Sequence, residues 1–242
     1  MPMKTLVKFC KKKHNILDKC RTIRFGTFEY YRKLDPSFAI ADETEGKDSL
    51  EINSVNTSNA SPEAIAALAP INPVSNIKIS NIRLNVTFPN CYIWCCTRLR
   101  EPVTADHGSR FDPEYDSFYK IPNATRFAEY LLSLLMTNIT RTAFKDCARE
   151  KVDQLSIAEM GKISLTVFHN EVMYVDEKIS TIEDGQLNPY IRQIPQSLRT
   201  VFVKPSKYFD DREYRFVFLF QHRWHGSLHV CKDPVDLPII PI

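Results

Sequence analysis

The segment from Tyr214 to Phe220 constrains the fold most, because it is aromatic or β-branched at most positions. Such a run is typical of a strand inside a sheet. A charged stretch, Asp210-Asp-Arg-Glu213, leads directly into it. Glu213 is therefore predicted at the start of an apolar strand, where burying a carboxylate costs free energy unless it has an ionic partner. A functional role is the other reason to find one there.

Two interpretations of Glu213 remain open at this point. It can form an ion pair with Arg212 or Arg215 and so provide a charged sheet edge. Alternatively it is a site carboxylate that acts with Asp211, since residues two apart in an extended strand project to the same face. Two carboxylates held close together have pKa values that differ from one another, because both cannot easily carry a charge. Such a pair can bind sugar hydroxyls or stabilise a developing cation.

The patterns elsewhere predict strands and helices around this strand. Strands are predicted at 5–9, 22–25, 82–88, 91–97, 163–168, 171–175, 200–203 and 227–230. Helices are predicted after the caps Thr27, Ser61 and Asn123, and around Ala143, Phe144, Cys147 and Ala148. Residues 47–81, rich in Ser, Asn, Ala and Pro, are interpreted as an insertion or flexible flap, and 100–122 as a long loop. The order predicts an α+β fold with a mainly antiparallel sheet and flanking helices, in a single domain over 1–242.

Composition limits the functional classes. The net charge of +3 permits nucleic-acid binding without requiring it, and the basic cluster around Lys8 to Lys13 is typical of a solvated surface. Seven cysteines, an odd number and several in apolar runs, indicate reduced core thiols. The sequence shows neither an apolar stretch of about 20 residues nor a signal-peptide core, which predicts a cytoplasmic protein that does not bind membranes.

Several common site motifs are absent from the sequence. No GxGxxG, GxxxxGK[ST] or GxSxG pattern occurs, which removes the main support for phosphate-loop and common hydrolase functions. Cys91, Cys95 and Cys96 lack the paired CxxC spacing of a zinc site, so no metal ligand is predicted.

A second block, Ile23 to Arg32, combines a cation, a glycine, a hydroxyl and two adjacent tyrosines. These residue types suit a flat, phosphorylated ligand, because aromatic faces stack on a ring while cations and backbone amides bind a pyrophosphate. Lys8 and Arg24 would supply the cations. Equally, Phe25, Phe28 and one tyrosine could simply belong to the core.

Five sequence blocks resemble, in their order, an uncharacterised DUF2971-like bacterial family, which is itself similar to a divergent branch of the ADP-ribosyltransferases. The blocks are residues 6–9, 23–32, 40–46, 93–97, and a last block formed by 202–205 with 211–216. The resemblance implies a sheet core of ADP-ribosyltransferase type and NAD as cofactor. The overall character is also similar to mRNA-modifying toxins of antiphage toxin-antitoxin-chaperone systems.

The resemblance also implies roles for individual residues. Glu213 would be catalytic together with Tyr30, and Asp211 would orient the substrate. The cofactor would be bound by Lys8, Arg24, Phe25, Gly26, Thr27 and Tyr31. The chain departs from the pattern in two places: Lys8-Phe9 replaces the first-strand Arg or His, and the Ser-Thr-Ser element is missing.

The implied function is an NAD-dependent ADP-ribosyltransferase, a toxin or antiphage effector that modifies nucleic acid (RNA, in particular mRNA) or, as second choice, protein. A cognate antitoxin protein would be its partner. The alternatives are an NAD glycohydrolase that uses the same site, and a non-catalytic member that binds nucleotide or RNA.

Overall fold

The computed structural model describes residues 4–35, 41–69, 76–100, 102–144, 152–194 and 196–239. They form an α+β fold in which most strand pairs are antiparallel, as predicted. The chain divides into two units. Unit 1 comprises Met1–Glu45, Pro89–Val172 and Asp210–Ile242, and unit 2 comprises Gly46–Phe88 and Met173–Phe209.

Unit 1 is built on a large sheet, and eight of its strands lie in the described residues. These are β1 (Lys4–Cys10), β2 (Thr22–Thr27), β5 (Tyr92–Arg100), β6 (Ser117–Ile121), β7 (Ile163–Glu171), β12 (Glu213–His222), β13 (Gly226–Leu228) and β14 (Val235–Pro238). The main order is β13-β12-β5-β1-β6, while β7 pairs with β12 and β2 pairs with both β5 and β14. The two apolar runs predicted as buried strands thus form the adjacent strands β5 and β12 at the middle of the sheet.

Unit 1 also contains the helices α1 (Phe28–Lys33), α3 (Ala124–Asn138) and α4 (Ile157–Met160). Helix α3 begins after Asn123, whose side chain accepts a hydrogen bond from the Arg126 amide at 3.0 Å, as the predicted cap requires. Its buried residues Leu131, Leu134 and Leu135 belong to the same apolar core as Phe216 of β12. Because side chains alternate along a strand, Glu213 and Arg215 project to the opposite face of the sheet.

Along one edge, strand β5 changes its pairing partner from β1 to β2, and three residues between the two paired segments belong to neither register. Strand β5 pairs with β1 through Thr97–Arg100 and with β2 through Tyr92 and Ile93. Neither register includes Trp94, Cys95 or Cys96. Lys8 Nζ instead donates a hydrogen bond to the Cys95 carbonyl oxygen at 2.7 Å. These β5 residues lie next to the start of β12, since Glu213 is in register with Thr97 and Arg215 with Cys95.

Unit 2 has its own small core. Its elements are β3 (Lys47–Asn56), α2 (Pro62–Ala67), β4 (Lys78–Thr87), β8 (Met173–Val175), β9 (Ile179–Glu183), β10 (Gln186–Asn188), α5 (Gln196–Phe202) and β11 (Val203–Pro205). One sheet has the order β10-β9-β3-β4, and β8 pairs with β11 in parallel. Ser61 caps α2 as predicted, because its hydroxyl accepts a hydrogen bond from the Ala64 amide at 3.2 Å.

The segment interpreted as an insertion or flap, 47–81, contains the ten-residue strand β3, which pairs with β4. The polar composition of this segment gives no sequence signal for β3, because only Leu50, Ile52 and Val55 of the strand are buried. The predicted loop 100–122 likewise contains β6, which pairs with β1.

Three further predictions of secondary structure need correction. The hairpin expected across His169 and Asn170 is absent: β7 runs on to Glu171 because both residues pair with β12. Residues 200–202 end helix α5, and the strand begins only at Val203. Arg141–Ala143 form a single 3₁₀ turn, while Cys147 and Ala148 lie outside the described residues. Among the described helices, none has the length and apolar character needed to cross a membrane.

Candidate functional site

The chain enters β12 through a sharp turn. Asp211 ends a 3₁₀ helix (Ser206–Asp211), and Arg212 adopts a left-handed backbone conformation with φ of 44°. Glu213 is therefore the first residue of the strand, and Asp211 does not belong to it. The predicted arrangement, with both carboxylates on one face of an extended strand, is wrong because this turn separates them.

Glu213 belongs to a buried cluster of three charged side chains. Arg215 is fully buried, and its Nε donates a hydrogen bond to Glu213 Oε1 at 2.8 Å. Its two terminal nitrogens donate to Glu45 Oε1 and Oε2 at 2.6 and 3.0 Å. Both glutamates are buried as well. The ion pair predicted for Glu213 is thus confirmed with Arg215, and Glu45 is a third member that the sequence did not suggest.

The charge state of this cluster follows from its surroundings. Burial alone would lower the pKa of Arg215, but the carboxylates of Glu213 and Glu45 outweigh it and hold that pKa well above its usual value. Arg215 is therefore a permanent cation between two carboxylates. The pKa of the neighbouring Cys95 thiol is raised, first by burial and then by the charge of Glu213, with which it hydrogen-bonds. Cys95 thus remains protonated and is a poor nucleophile.

Tyr31 of α1 lies over the same face of the sheet. A Cβ atom built on Gly26 would lie 2.5 Å from Tyr31 Cε2 and 2.7 Å from its hydroxyl oxygen, so the ring occupies the space that a side chain at Gly26 would need. The pKa of the Tyr31 phenol is raised well above its usual value, first by burial and then by nearby groups that include Cys95 and Glu213. The charge of the predicted site residue Glu213 therefore acts on the predicted site residue Tyr31, and the phenol keeps its proton.

Tyr30 and Thr27 hold the start of α1. The rings of Tyr30 and Tyr31 meet edge to face, with centroids 5.3 Å apart. The Thr27 hydroxyl accepts a hydrogen bond from the Tyr30 amide at 3.1 Å, as the predicted cap requires, and donates one to the Lys232 carbonyl oxygen at 2.6 Å. Thr27 therefore fixes the helix that carries the tyrosines.

The remaining predicted cofactor residues already have protein partners. Lys8 bonds the Cys95 carbonyl oxygen and its ammonium lies 5.0 Å from the centre of the Trp94 ring. Arg24 forms a two-bonded ion pair with Asp236, with distances of 2.9 and 2.6 Å. Phe25 is fully buried and packs edge to face on Phe218, with ring centroids 5.5 Å apart, in the core on the α3 side of the sheet. The structure does not bring Phe25 to the Glu213 face.

These placements fit the two ends of NAD unequally. A carboxylate, a neutral phenol and a second aromatic ring suit a ribose and its attached nicotinamide. The cations expected at the pyrophosphate, Lys8 and Arg24, would first have to exchange their present partners. In the described part of the chain, no group of three or more His, Cys, Asp or Glu side chains is arranged to hold a metal ion.

Comparison with known proteins adds no relative to this picture. No protein-family model, curated protein or solved structure matches the chain. The resemblance to ADP-ribosyltransferases therefore stays a prediction from the five sequence blocks.

Proposed function

We propose that unit 1 carries an NAD-dependent ADP-ribosyltransferase site with Glu213 as its catalytic carboxylate. One observation carries the proposal: Glu213 is a buried carboxylate, held by Arg215 at the first residue of a central strand, on the sheet face that the Tyr31 ring covers. Ionisable groups with strongly shifted pKa values, here Tyr31, Cys95 and Arg215, are frequent at active sites.

The proposed chemistry requires a negative charge at this point. When the bond between nicotinamide and ribose breaks, nicotinamide leaves with the bonding electron pair and positive charge develops on the ribose. A hydrogen bond from a ribose hydroxyl to Glu213 strengthens as that charge develops, so Glu213 stabilises the transition state more than the ground state. The acceptor then bonds to the same ribose carbon and loses its proton to solvent.

The tyrosines would orient the substrate. Tyr31 presents a protonated phenol on the Glu213 face of the sheet, and Tyr30 presents a second ring edge-on to it. Stacking on either ring would hold the nicotinamide or the ribose in a reactive pose, and orientation supplies much of an enzymatic rate. Asp211 and Phe25 have no role in this proposal, because neither belongs to the Glu213 face of the sheet.

RNA is the acceptor that we propose, as part of a toxin or antiphage effector with a cognate antitoxin. Besides the resemblance, the connection between β1 and β2 supports this choice. Lys12, Lys13, Lys19 and Arg21 are all exposed there, and a concentration of cations attracts phosphate backbones. Protein remains the second choice of acceptor.

A non-catalytic nucleotide-binding function is the second candidate, and one observation favours it. Glu213 already has an ionic partner, and buried ion clusters of this kind also occur where they serve structure alone. In that case the protein would bind NAD or RNA without breaking a bond.

Incubation with NAD labelled in the adenylate part distinguishes these functions. Label on RNA or protein supports transfer, and free labelled ADP-ribose identifies water as the acceptor and hence a glycohydrolase. Intact NAD after long incubation, with and without RNA, would contradict both enzymatic functions and favour the binding protein.

A further inference from the structure

Glu45 connects the two parts of the proposed site. We propose that Glu45 is a positioning residue, which sets the placement of the α1 tyrosines relative to Glu213 through one chain of buried and partly buried polar contacts. This inference rests on the proposed function for its effect on catalysis, whereas the placement itself can be tested without any activity.

The first half of the chain of contacts ties Glu45 to α1. Arg32, in the last turn of α1, donates a hydrogen bond from a terminal nitrogen to the Glu45 carbonyl oxygen at 2.6 Å. Three residues earlier, the Asp42 amide donates to the Tyr31 carbonyl oxygen at 3.3 Å. The segment 42–45 is therefore fixed against the helix that carries Tyr30 and Tyr31.

The second half ties Glu45 to β12. Both of its carboxylate oxygens accept hydrogen bonds from Arg215, and Arg215 in turn donates to Glu213. A two-bonded contact between a guanidinium and a carboxylate fixes direction as well as distance, because both groups are planar. Glu45 thus holds the Arg215 guanidinium in the orientation from which its Nε reaches Glu213.

Glu45 also balances charge. Arg215 and Cys95 hydrogen-bond with Glu213, and of these two side chains Arg215 carries the positive charge. With Glu45 present, that cation is shared between two carboxylates, so the attraction of Arg215 for Glu213 is reduced. In Glu45→Gln the two-bonded contact that sets the direction of the Arg215 guanidinium is weakened, so the guanidinium shifts toward Glu213 and toward the oxygen that a ribose hydroxyl needs.

The test compares Glu45→Gln, Glu45→Asp and the control Glu51→Gln. Glu51 of unit 2 forms an exposed ion pair with Arg83 at 3.3 Å, so the control removes a paired glutamate charge that takes no part in the contacts of Glu45 with Arg215 and Arg32. Nicotinamide release is measured as kcat and KM, and the Tyr31 ring signals are followed by NMR of protein with labelled tyrosine, assigned with Tyr31→Phe. Each measurement is made on protein with a cooperative thermal transition.

We expect Glu45→Gln to lower kcat about 10- to 100-fold with KM changed less than threefold, since a misplacement of about 1 Å can cost about 100-fold. The Tyr31 signals should shift in this variant. Glu45→Asp retains the charge one methylene shorter and should recover part of kcat, and Glu51→Gln should match the wild type. In a Glu213→Gln background, Glu45→Gln should lower kcat no further, because residues that act through one another are not additive.

A wild-type kcat in Glu45→Gln, or an additional loss in the Glu213→Gln background, would overturn the inference. If Glu45→Gln does not fold, the same criteria apply to Glu45→Asp, in which an unchanged Tyr31 signal and unchanged kcat would be decisive. A wild-type protein that breaks no NAD overturns the proposed function and with it the catalytic effect. An unshifted Tyr31 signal in an active enzyme overturns the positioning role alone.

Discussion

Removal of Arg215 tests the buried charge cluster on which the site is built. In Arg215→Met the side-chain volume is largely kept, but three hydrogen bonds to two carboxylates are lost. Breaking a buried ion pair from one side costs about 3–5 kcal/mol, mainly because the remaining buried charge loses its counterion. Two buried carboxylates lose the Arg215 cation here, so we expect a loss of about 4–5 kcal/mol. That is a large part of the roughly 5–15 kcal/mol by which a domain is stable.

Urea unfolding followed by circular dichroism measures this loss. With a slope of about 1–3 kcal/mol per molar urea, the midpoint should fall by about 2 M. Arg24→Met is a matched control, because Arg24 also forms two hydrogen bonds with a carboxylate, Asp236, but with side chains 62% and 46% exposed. Exposed pairs contribute about 0–1 kcal/mol, so the control should shift the midpoint by less than about 0.5 M.

The comparison of the two variants decides the outcome. Equal midpoint shifts in Arg215→Met and Arg24→Met would refute the reasoning.

Three other substitutions test separate parts of the structure. Gly26→Ala places a methyl group where the Tyr31 ring lies, so it should lower the free energy of unfolding in urea by about 1–3 kcal/mol. It should also lower the rate of nicotinamide release about tenfold, and an unchanged rate would contradict the placement of that ring. Asn90 is buried, its side-chain oxygen accepts a hydrogen bond from the Glu29 amide, and its side-chain nitrogen donates to two carbonyl oxygens at 2.9 and 3.1 Å. Asn90→Ala should therefore cost about 2–4 kcal/mol in urea unfolding, and a loss below about 1 kcal/mol would contradict these contacts. Burial lowers the pKa of His169, so the unfolded chain binds a proton there more readily than the folded protein does. Stability is therefore lost as the pH falls through about 6.5, the usual pKa of a histidine. His169→Phe should reduce this loss between pH 7 and 5, and an identical pH dependence of stability in the variant and the wild type would contradict the prediction.

The parts of the fold that depend on local chemistry could be predicted from the sequence. The apolar runs at β5 and β12 and the caps Thr27, Ser61 and Asn123 were found in this way, because each follows from the residues within one or two turns of chain. Strand β3 was missed because its buried positions are interrupted by Ser, Asn and charged residues. Strand β7 was cut short because His169-Asn170 is also typical of a turn, and only the partner strand β12 keeps it extended.

In the candidate site too, local sequence patterns indicate some residues, while the fold alone brings the others together. Glu213 stood out because a carboxylate at the start of an apolar strand needs a partner, and Arg215 is two residues away. Glu45 is 170 positions from Arg215, and no local pattern indicates that the two side chains meet. The only sequence signal was its place in the block 40–46 of the family resemblance. The resemblance implies a cofactor role for Phe25, but Phe25 alternates with Gly26 along β2 and so lies on the opposite face, which only the sheet register reveals.

The catalytic assignment of Glu213 is tested most directly by the rate of nicotinamide release from NAD in Glu213→Gln. Glutamine keeps the shape of the side chain and an oxygen for Arg215 but removes the charge. We expect the rate to fall about 100- to 1,000-fold relative to the wild type and to Glu51→Gln, with the fold retained by circular dichroism. A folded Glu213→Gln protein that releases nicotinamide at the wild-type rate would contradict the account.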